Sequence, residues 1–248
     1  MTISAITPKG RVLAFEPILR PVMALKSGKT RGSALDRLMF ENGEEKPSGP
    51  GLSQLTDYDI EQVDVALLGE ALGRAKTLHG GGRAPLLFAP ASFRTLAAPR
   101  GRREVLGIVR EVQERLNARV VLEVTHLDPG LPPSRLVEVL ALLCPTCKVV
   151  FARVELERRA LRAVVGCSLA GASLEAARIA DPEDEELLTR VRLVLAGVGP
   201  RMMLHNLRTT AAINAAHAAG VSYASLDLTH MAMAAPNKSG GQVSPAAA

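Results

Sequence analysis

Arg119-Val120-Val121-Leu122-Glu123-Val124-Thr125 is the clearest strand in the chain, and its neighbours on either side set the fold class. It is rich in β-branched residues, which suit a pleated, buried surface. Before it, Arg102 to Leu116 is amphipathic. After it, Pro132 to Leu143 reads as a helix. The same beat continues toward the C-terminus: Lys148 to Val154 is a strand, Leu156 to Val165 a helix and Ser173 to Arg178 a strand. Asp181 and Pro182 form an N-cap and N1 pair that opens a helix to Ala196. Arg201 to His205 is a strand, Thr209 to Ala219 a helix closed by Gly220, and Ser222 to Leu226 the last strand. Toward the N-terminus, Pro85 to Ala89 is an apolar run. Asp57 opens a helix to Leu78, with Ile60, Val63, Leu67, Leu68 and Ala71 at helical spacing. Arg11 to Pro17 is a strand, Lys26 to Gly32 is turn-rich, Ser33 to Phe40 is a short apolar segment, and Glu41 to Ser53 is a polar loop. Strands alternating with helices imply a parallel sheet. A closed barrel and an open doubly wound sheet both satisfy that pattern.

Composition narrows the class. A chain of 248 residues with 47% hydrophobic content can build one large core, and with 3% aromatics and no tryptophan that core is aliphatic. The 30 basic and 25 acidic residues are interspersed, so the net charge of +5 reads as a solvated, salt-bridged surface. No basic run with interleaved aromatics points to a nucleic-acid polymer. Every apolar window is interrupted by Arg, Glu or Pro, which argues against membrane insertion. Met1 to Gly10 lacks the apolar stretch of a signal peptide, and three cysteines suit a reducing compartment, so a cytoplasmic protein is expected.

Two local motifs carry a bland reading better than a chemical one. Gly80-Gly81-Gly82 with Arg83 follows a helix and precedes a strand, the reverse of the order that aims backbone N–H groups at phosphate. Cys144-Pro145-Thr146-Cys147 has redox spacing, but lies at a helix end before a strand, whereas a reactive thiolate needs a helix N-terminus. Zinc would need two further ligands, for which Cys167 and a histidine are candidates without a second pair at metal spacing.

The order of the apolar runs resembles one family. Phe15-Glu16-Pro17-Ile18 and the turn Lys26-Ser27-Gly28-Lys29 are similar to the entry strand of EAL phosphodiesterase domains. Ser33-Ala34-Leu35-Asp36-Arg37 falls where that family carries E-A-L-x-R, and Leu122-Glu123-Val124-Thr125-His126 resembles its L-E-L-T-E strand. Met203-Leu204-His205-Asn206-Leu207-Arg208-Thr209 is similar to the A-E-G-V-E-T segment, and Gly220 to Leu226 to the closing G-x-d-x-x-Q-G. The resemblance runs from Arg11 to Asp227. It implies an α/β fold: a modified TIM-type (β/α)8 barrel with one antiparallel strand. The expected division is an N-terminal extension at 1–10, the barrel at 11–229 and a disordered tail at 230–248.

The same resemblance argues against the family's chemistry. Hydrolysis there uses Mg²⁺ or Mn²⁺, hard cations that want several oxygen ligands. By the resemblance, the motif Glu becomes Ser33, the strand Asn becomes Ala89 and the Asp-Asp pair falls at Ala152-Arg153. The family's Lys falls near Glu175, a Glu becomes His205 and the closing Gln becomes Ser225, leaving Glu123 alone at a ligand position. A guanidinium at ~4 Å repels a unit positive charge by about 4 kcal/mol at an effective dielectric near ~20, and a dication doubles that. The expectation is therefore a domain that is not an enzyme, with no cofactor and no bound metal, acting as a regulatory or protein-interaction module with an unidentified partner. The resemblance also suggests a homodimer. The alternative is a metal-independent, non-hydrolytic receptor for cyclic-di-GMP or another anionic nucleotide, held at the barrel mouth by Arg37, Glu123, His126, Arg153, His205 and Arg208. The types of Glu123, His126 and His205 would also suit a zinc site.

Overall fold

The computed structural model describes residues 2–46, 52, 54–78 and 84–233. Ten strands form one sheet: β1 (Ile3–Ile6), β2 (Val12–Ala24), β3 (Lys29–Glu41), β4 (Glu44–Lys46), β5 (Leu86–Ser92), β6 (Arg119–Thr125), β7 (Val150–Arg153), β8 (Gly171–Glu175), β9 (Arg201–Leu207) and β10 (Tyr223–Leu226). Eight of them close on themselves in the order β2-β10-β9-β8-β7-β6-β5-β3, because β2 also pairs with β3. All neighbours in this ring are parallel except those of β2, which runs antiparallel to both β3 and β10. The fold is thus the closed α/β barrel with one antiparallel strand that the resemblance implied. Closure removes the sheet edges that an open sheet would expose.

Helices α1 (Asp57–Leu78), α2 (Phe93–Ala97), α3 (Pro99–Leu116), α4 (Pro133–Leu143), α5 (Arg158–Val164), α6 (Glu185–Leu195), α7 (Thr210–Ala218) and α8 (Leu228–Met233), with 3-10 turns at Leu25–Ser27 and Ala176–Arg178, make up the helical part of the described residues. Strand alternation sorts side chains into two cores. Val22, Ala34, Phe88, Val121, Phe151 and Met203 fill the barrel interior. Leu35, Ala89, Leu122, Ala152, Leu174, Leu204 and Ala224 point the other way, into the main core beneath the helices. A third cluster lies where β2 and β3 outrun the ring: Ile60, Val63 and Leu67 of α1 pack on Leu13, Phe15 and Met39.

Several sequence expectations change here. The strand at Arg11 to Pro17 runs on to Ala24, although prolines interrupt it. β1 pairs with residues 12–15 and β10 with residues 22–24, so Pro17 and Pro21 fall where β2 has only β3 beside it and a missing N–H is tolerated. Ser33 to Phe40 is part of a full strand, entered from a turn at Gly28 with φ of 62°. Residues 3–6, set apart as an extension, form β1 on the barrel sheet. The proposed loop at 41–53 contains β4, and the tail expected from residue 230 begins inside α8. Asp181 caps a turn, accepting from the Glu183 N–H, while Asp184 is the N-cap of α6, accepting from Leu187. Gly80 to Arg83 and residues 234–248 lie outside the described residues. No described helix is long and apolar enough to cross a membrane.

Candidate functional site at the barrel mouth

A cavity of about 620 Å³ opens at the C-terminal ends of the parallel strands, bordered by Arg20, Asp36, Arg37, His126, Arg153, Glu175, Asn206 and Arg208. This is the end at which ligands bind in barrels of this type. Directly above the apolar interior, the next inward positions of β3, β6, β7 and β9 are polar, while β5 places Pro90 there. Glu123, two residues after Val121, is fully buried, and His205, two after Met203, is 1% exposed. Arg153 follows Phe151 by the same step, and Asp36 follows Ala34.

Arg153 is the centre of this layer. Its Nη2 donates to Glu123 Oε2 at 2.9 Å and its Nη1 to Glu175 Oε1 at 3.1 Å. His205 Nε2 lies 2.8 Å from Glu123 Oε1, so both carboxylate oxygens are taken. Asn206 Nδ2 donates to Asp36 Oδ2 at 3.0 Å and to Glu175 Oε2 at 2.8 Å, tying the two acids together. Arg20 donates to Asp36 at 3.2 Å and lies 2.9 Å from Asp227. Burial pushes the Glu123 pKa up, but the facing charges of His205 and Arg153 outweigh it and hold the carboxyl far below its usual range. Asp36 is likewise lowered, against the pull of burial, by Arg153 and His205. Burial works against the Arg153 charge, yet Glu123, Glu175 and Asp36 together raise its pKa.

A second group stands beside the first. Arg37 leaves β3 on the helix side and donates to Asp64 of α1 at 3.2 Å, while its Nη2 is 3.2 Å from His126 Nε2. Asp64 also accepts from the Ser92 N–H and the Thr95 hydroxyl. Burial, with the Arg37 and Arg153 charges adding to it, lowers the His126 pKa to about 3, so the ring is neutral. Arg208, 55% exposed, reaches Asp227 at 3.4 Å.

All six residues singled out in the sequence therefore border or underlie the mouth, but as two groups: Glu123, Arg153 and His205 in one, Arg37 and His126 in the other, with Arg208 at the rim. His126 pairs with Arg37 and not with Glu123 and His205, and among the described residues no three His, Cys, Asp or Glu side chains are arranged to hold a metal ion. Asp36, Asp64, Asn206, Arg20 and Asp227 were missed. Asn206 is reached through a bulge: residues 205 and 206 of β9 oppose the single Ser225 of β10, with Asn206 at φ 63°, so that His205 and Asn206 both serve the mouth. Asn tolerates the left-handed region, which is the only signal the sequence offered. Cys144 is exposed and Cys147 buried; burial raises the Cys147 pKa to about 11, opposite to what a reactive thiol requires.

One premise of the sequence reading needs correction. Ser33 and Ala89 were placed at ligand positions, but strand parity puts both on the outward face with Leu35, and the inward residues are Asp36 and Pro90. Glu123 also shares its guanidinium partner: Arg153 reaches Glu123 through Nη2 and Glu175 through Nη1.

Comparison with solved structures shows an EAL-like fold. YkuI of Bacillus subtilis, an EAL-domain protein solved with substrate c-di-GMP and calcium, matches at a TM-score of 0.65 and 16% identity over 85% of this chain and 53% of its own. The chain thus spans about half the length of YkuI. The EAL domain of Xanthomonas citri FimX, in complex with c-di-GMP, gives 0.59 and 14% over 87% of each chain. PaMucR phosphodiesterase, also a c-di-GMP complex, gives 0.64 and 14% over 88% of this chain and 90% of its own. No protein-family model matches the sequence. No curated protein matches it either. The sequence-based exclusion of an enzyme does not stand against these structures: a phosphodiesterase and a protein solved with its substrate share the fold.

The calcium of the YkuI complex sets a test for the residues present here. They do not fit a divalent cation: among the described residues no three His, Cys, Asp or Glu side chains are arranged to hold one, and both Glu123 oxygens are engaged, by Arg153 and His205.

Proposed function

We propose that the barrel mouth binds a cyclic dinucleotide, with cyclic-di-GMP the first candidate, through guanidinium groups and without a divalent cation. The observation that carries this is the division of labour among the arginines around a cavity of about 620 Å³, within the range of small-ligand sites. Arg37 and Arg153 are locked onto buried carboxylates. Arg208 and Arg178, each 55% exposed, are paired only loosely with Asp227 and Glu155, at 3.4 and 3.7 Å. The exposed Arg178–Glu155 pair contributes about 0–1 kcal/mol, and Asp227 keeps Arg20 at 2.9 Å if Arg208 swings away, so a phosphate offering bidentate hydrogen bonds can take either guanidinium. Among the described residues Asn206 Oδ1 and Arg153 Nε are buried with no hydrogen-bond partner, so a ligand that shifts these side chains by a small movement gains an acceptor and a donor at the floor. The c-di-GMP complexes of YkuI, FimX and MucR support this choice of ligand.

Calorimetry with cyclic-di-GMP in a chelator tests the proposal. Saturable binding is expected, weakened about tenfold or more, or roughly 1.4 kcal/mol, by Arg208→Ala. No binding in chelator, or binding indifferent to Arg208→Ala and Arg178→Ala, overturns it. Linear dinucleotide formation with Mn²⁺ is measured alongside as a separate question.

A second reading, a regulatory protein-interaction module, is favoured by one observation. Val137, Leu142, Val165, Leu193 and Val194 are exposed apolar residues on or beside the outer helices α4, α5 and α6. Sedimentation velocity tests its simplest form, the homodimer, which Val194→Asp should dissociate.

A further inference from the structure

Lys26, Lys29, Arg31, Arg119, Lys148 and Arg201 are scattered through the sequence, but the topology gathers them at one end of the barrel. Each lies in the turn between β2 and β3, in a segment leading from a helix into the next parallel strand, or in the first residues of a strand. That end is the base, opposite the mouth. The turn at 25–28 and the segments leading from α3, α4, α5, α6 and α7 into β6, β7, β8, β9 and β10 contain no Asp or Glu. Five of the six cations are exposed and Arg31 is half-buried, and none has an ion-pair partner among the described residues. On the outer surface, Glu111 and Glu114 in the last turns of α3 come closest in sequence, and Glu111 is paired with Arg115 at 2.8 Å. Acids instead follow the strands: Asp128, Glu155, Glu157, Asp181, Glu183 and Asp184 all lie in segments on the mouth side. Charge that looks evenly mixed along the sequence is thus polarised along the barrel axis.

We infer that the base is a docking surface for an anionic lipid bilayer. Arg119 lies two residues below Val121 and Arg201 two below Met203, so strand parity puts both in the layer that closes the lower end of the barrel. Half-buried Leu86, Val149, Ala170 and Tyr223 stand beside them. The segments between helix and strand here are two to six residues long, so they make a shallow end and not a groove. An apolar centre ringed by cations suits an extended anionic plane, where each Lys or Arg near the surface strengthens binding about fivefold. Helix C-termini attract cations only within the last turn. Arg119, Lys148 and Arg201 stand three to six residues beyond helix ends, and Lys26, Lys29 and Arg31 follow no α-helix, so helix ends alone do not call for the set. A nucleic acid fits less well. A duplex wants a basic stripe or an element that enters a groove, and a single strand wants exposed rings to stack on. Tyr223 packs edge-on against Phe88 at 5.6 Å and offers no such platform. Docked by its base, the barrel presents the mouth to solvent. The inference does not rest on the nucleotide reading, because the two use opposite ends of the barrel.

The test is co-sedimentation of the full chain with phosphatidylcholine vesicles, with and without phosphatidylserine, at low and high salt. Binding is expected only to vesicles that contain phosphatidylserine, and it should weaken as salt shortens the reach of the charges. Lys29→Ala combined with Lys148→Ala should weaken the partition about thirtyfold. Arg158→Ala combined with Arg159→Ala removes the same charge from the mouth-side start of α5 and should leave it nearly unchanged. All four side chains are exposed, so neither double variant threatens the fold. Fluorescence anisotropy with labelled RNA and DNA duplexes is measured in the same buffers. No binding to acidic vesicles, equal binding to neutral ones, an equal loss from the two double variants, or tighter binding to a duplex than to acidic vesicles would each overturn the inference.

Discussion

Arg153 and Glu123 form an ion pair at 2.9 Å in which the acid is wholly buried and the guanidinium is 18% exposed. Such a pair adds little relative to an apolar replacement of both partners, yet breaking it strands a charge. Glu123→Gln should therefore lower stability by about 3–5 kcal/mol in urea denaturation, with a smaller loss when Arg153→Met is added. Losses that simply sum in the double variant would show that the two side chains are not coupled.

The pH dependence of that pair has a definite sign. A carboxyl held below its unfolded value of 4.5 contributes stability that is complete above that pH and lost as pH falls below it. Denaturation midpoints between pH 6 and pH 3 should fall steeply for the intact protein and less steeply for Glu123→Gln.

His126 gives the opposite chemical type and the same direction. Its pKa is about 3 against an unfolded 6.5, so the unfolded chain binds the extra proton across that window. Stability contributed by the neutral ring is lost as pH falls from 6.5 toward 3, by up to about 1.4 kcal/mol per pH unit. His126→Asn keeps a residue suited to the φ of 52° and should flatten the curve between pH 6.5 and 4.5. An unchanged slope in that interval would mean that the histidine is not the source.

Barrel closure supplies a test free of charge. A Cβ on Gly171 would stand 2.5 Å from the Arg201 carbonyl oxygen and 2.6 Å from the Phe151 ring. Neither the β9 backbone nor a ring packed in the barrel interior can retreat. Gly171→Ala should cost about 1–3 kcal/mol by the overpacking it forces. Gly107→Ala, with open space around the new methyl, should be neutral or slightly stabilising because alanine favours helix.

What the sequence displayed and what it hid follow from strand parity. RVVLEVT was readable because both faces of β6 are buried and its run is almost wholly apolar. The alternation of strands and helices gave the parallel sheet in the same way, whereas its closure into a barrel came only from the resemblance. The mouth was readable only by residue type. A period of two decides whether Ser33 or Ala34 faces inward, and a slip of one residue exchanges the whole set. The bulge at 205 and 206 adds a second shift that no apolar pattern records. Thus Arg153 and Glu123 could be named from the sequence while Asp36, their neighbour in space, passed for the variable position of a motif in a short apolar segment. Asp64 was invisible for a different reason. It lies on the α1 helix, 27 positions from Arg37, and reads as one more acid on an amphipathic surface.

Asp64 and Arg37 nevertheless should not be equal partners. Asp64 is 1% exposed, and besides Arg37 it accepts from the Ser92 N–H at 2.7 Å and the Thr95 hydroxyl at 2.6 Å. Burial raises its pKa against the opposing effect of Arg37, so on losing that guanidinium the acid can take up a proton and remain buried as a neutral group. Arg37 has no such escape, since a guanidinium stays charged at any ordinary pH. Arg37→Met should accordingly cost less than Asp64→Asn, which strands a cation and is expected to lose about 3 kcal/mol or more. The two variants should also separate by pH. The deficit of Arg37→Met shrinks on moving from pH 8 to pH 5, as protonation of Asp64 becomes easier, whereas that of Asp64→Asn does not narrow. Urea denaturation of both variants at the two pH values decides it, and equal deficits with equal pH dependence would mean that Asp64 cannot discharge in the folded protein.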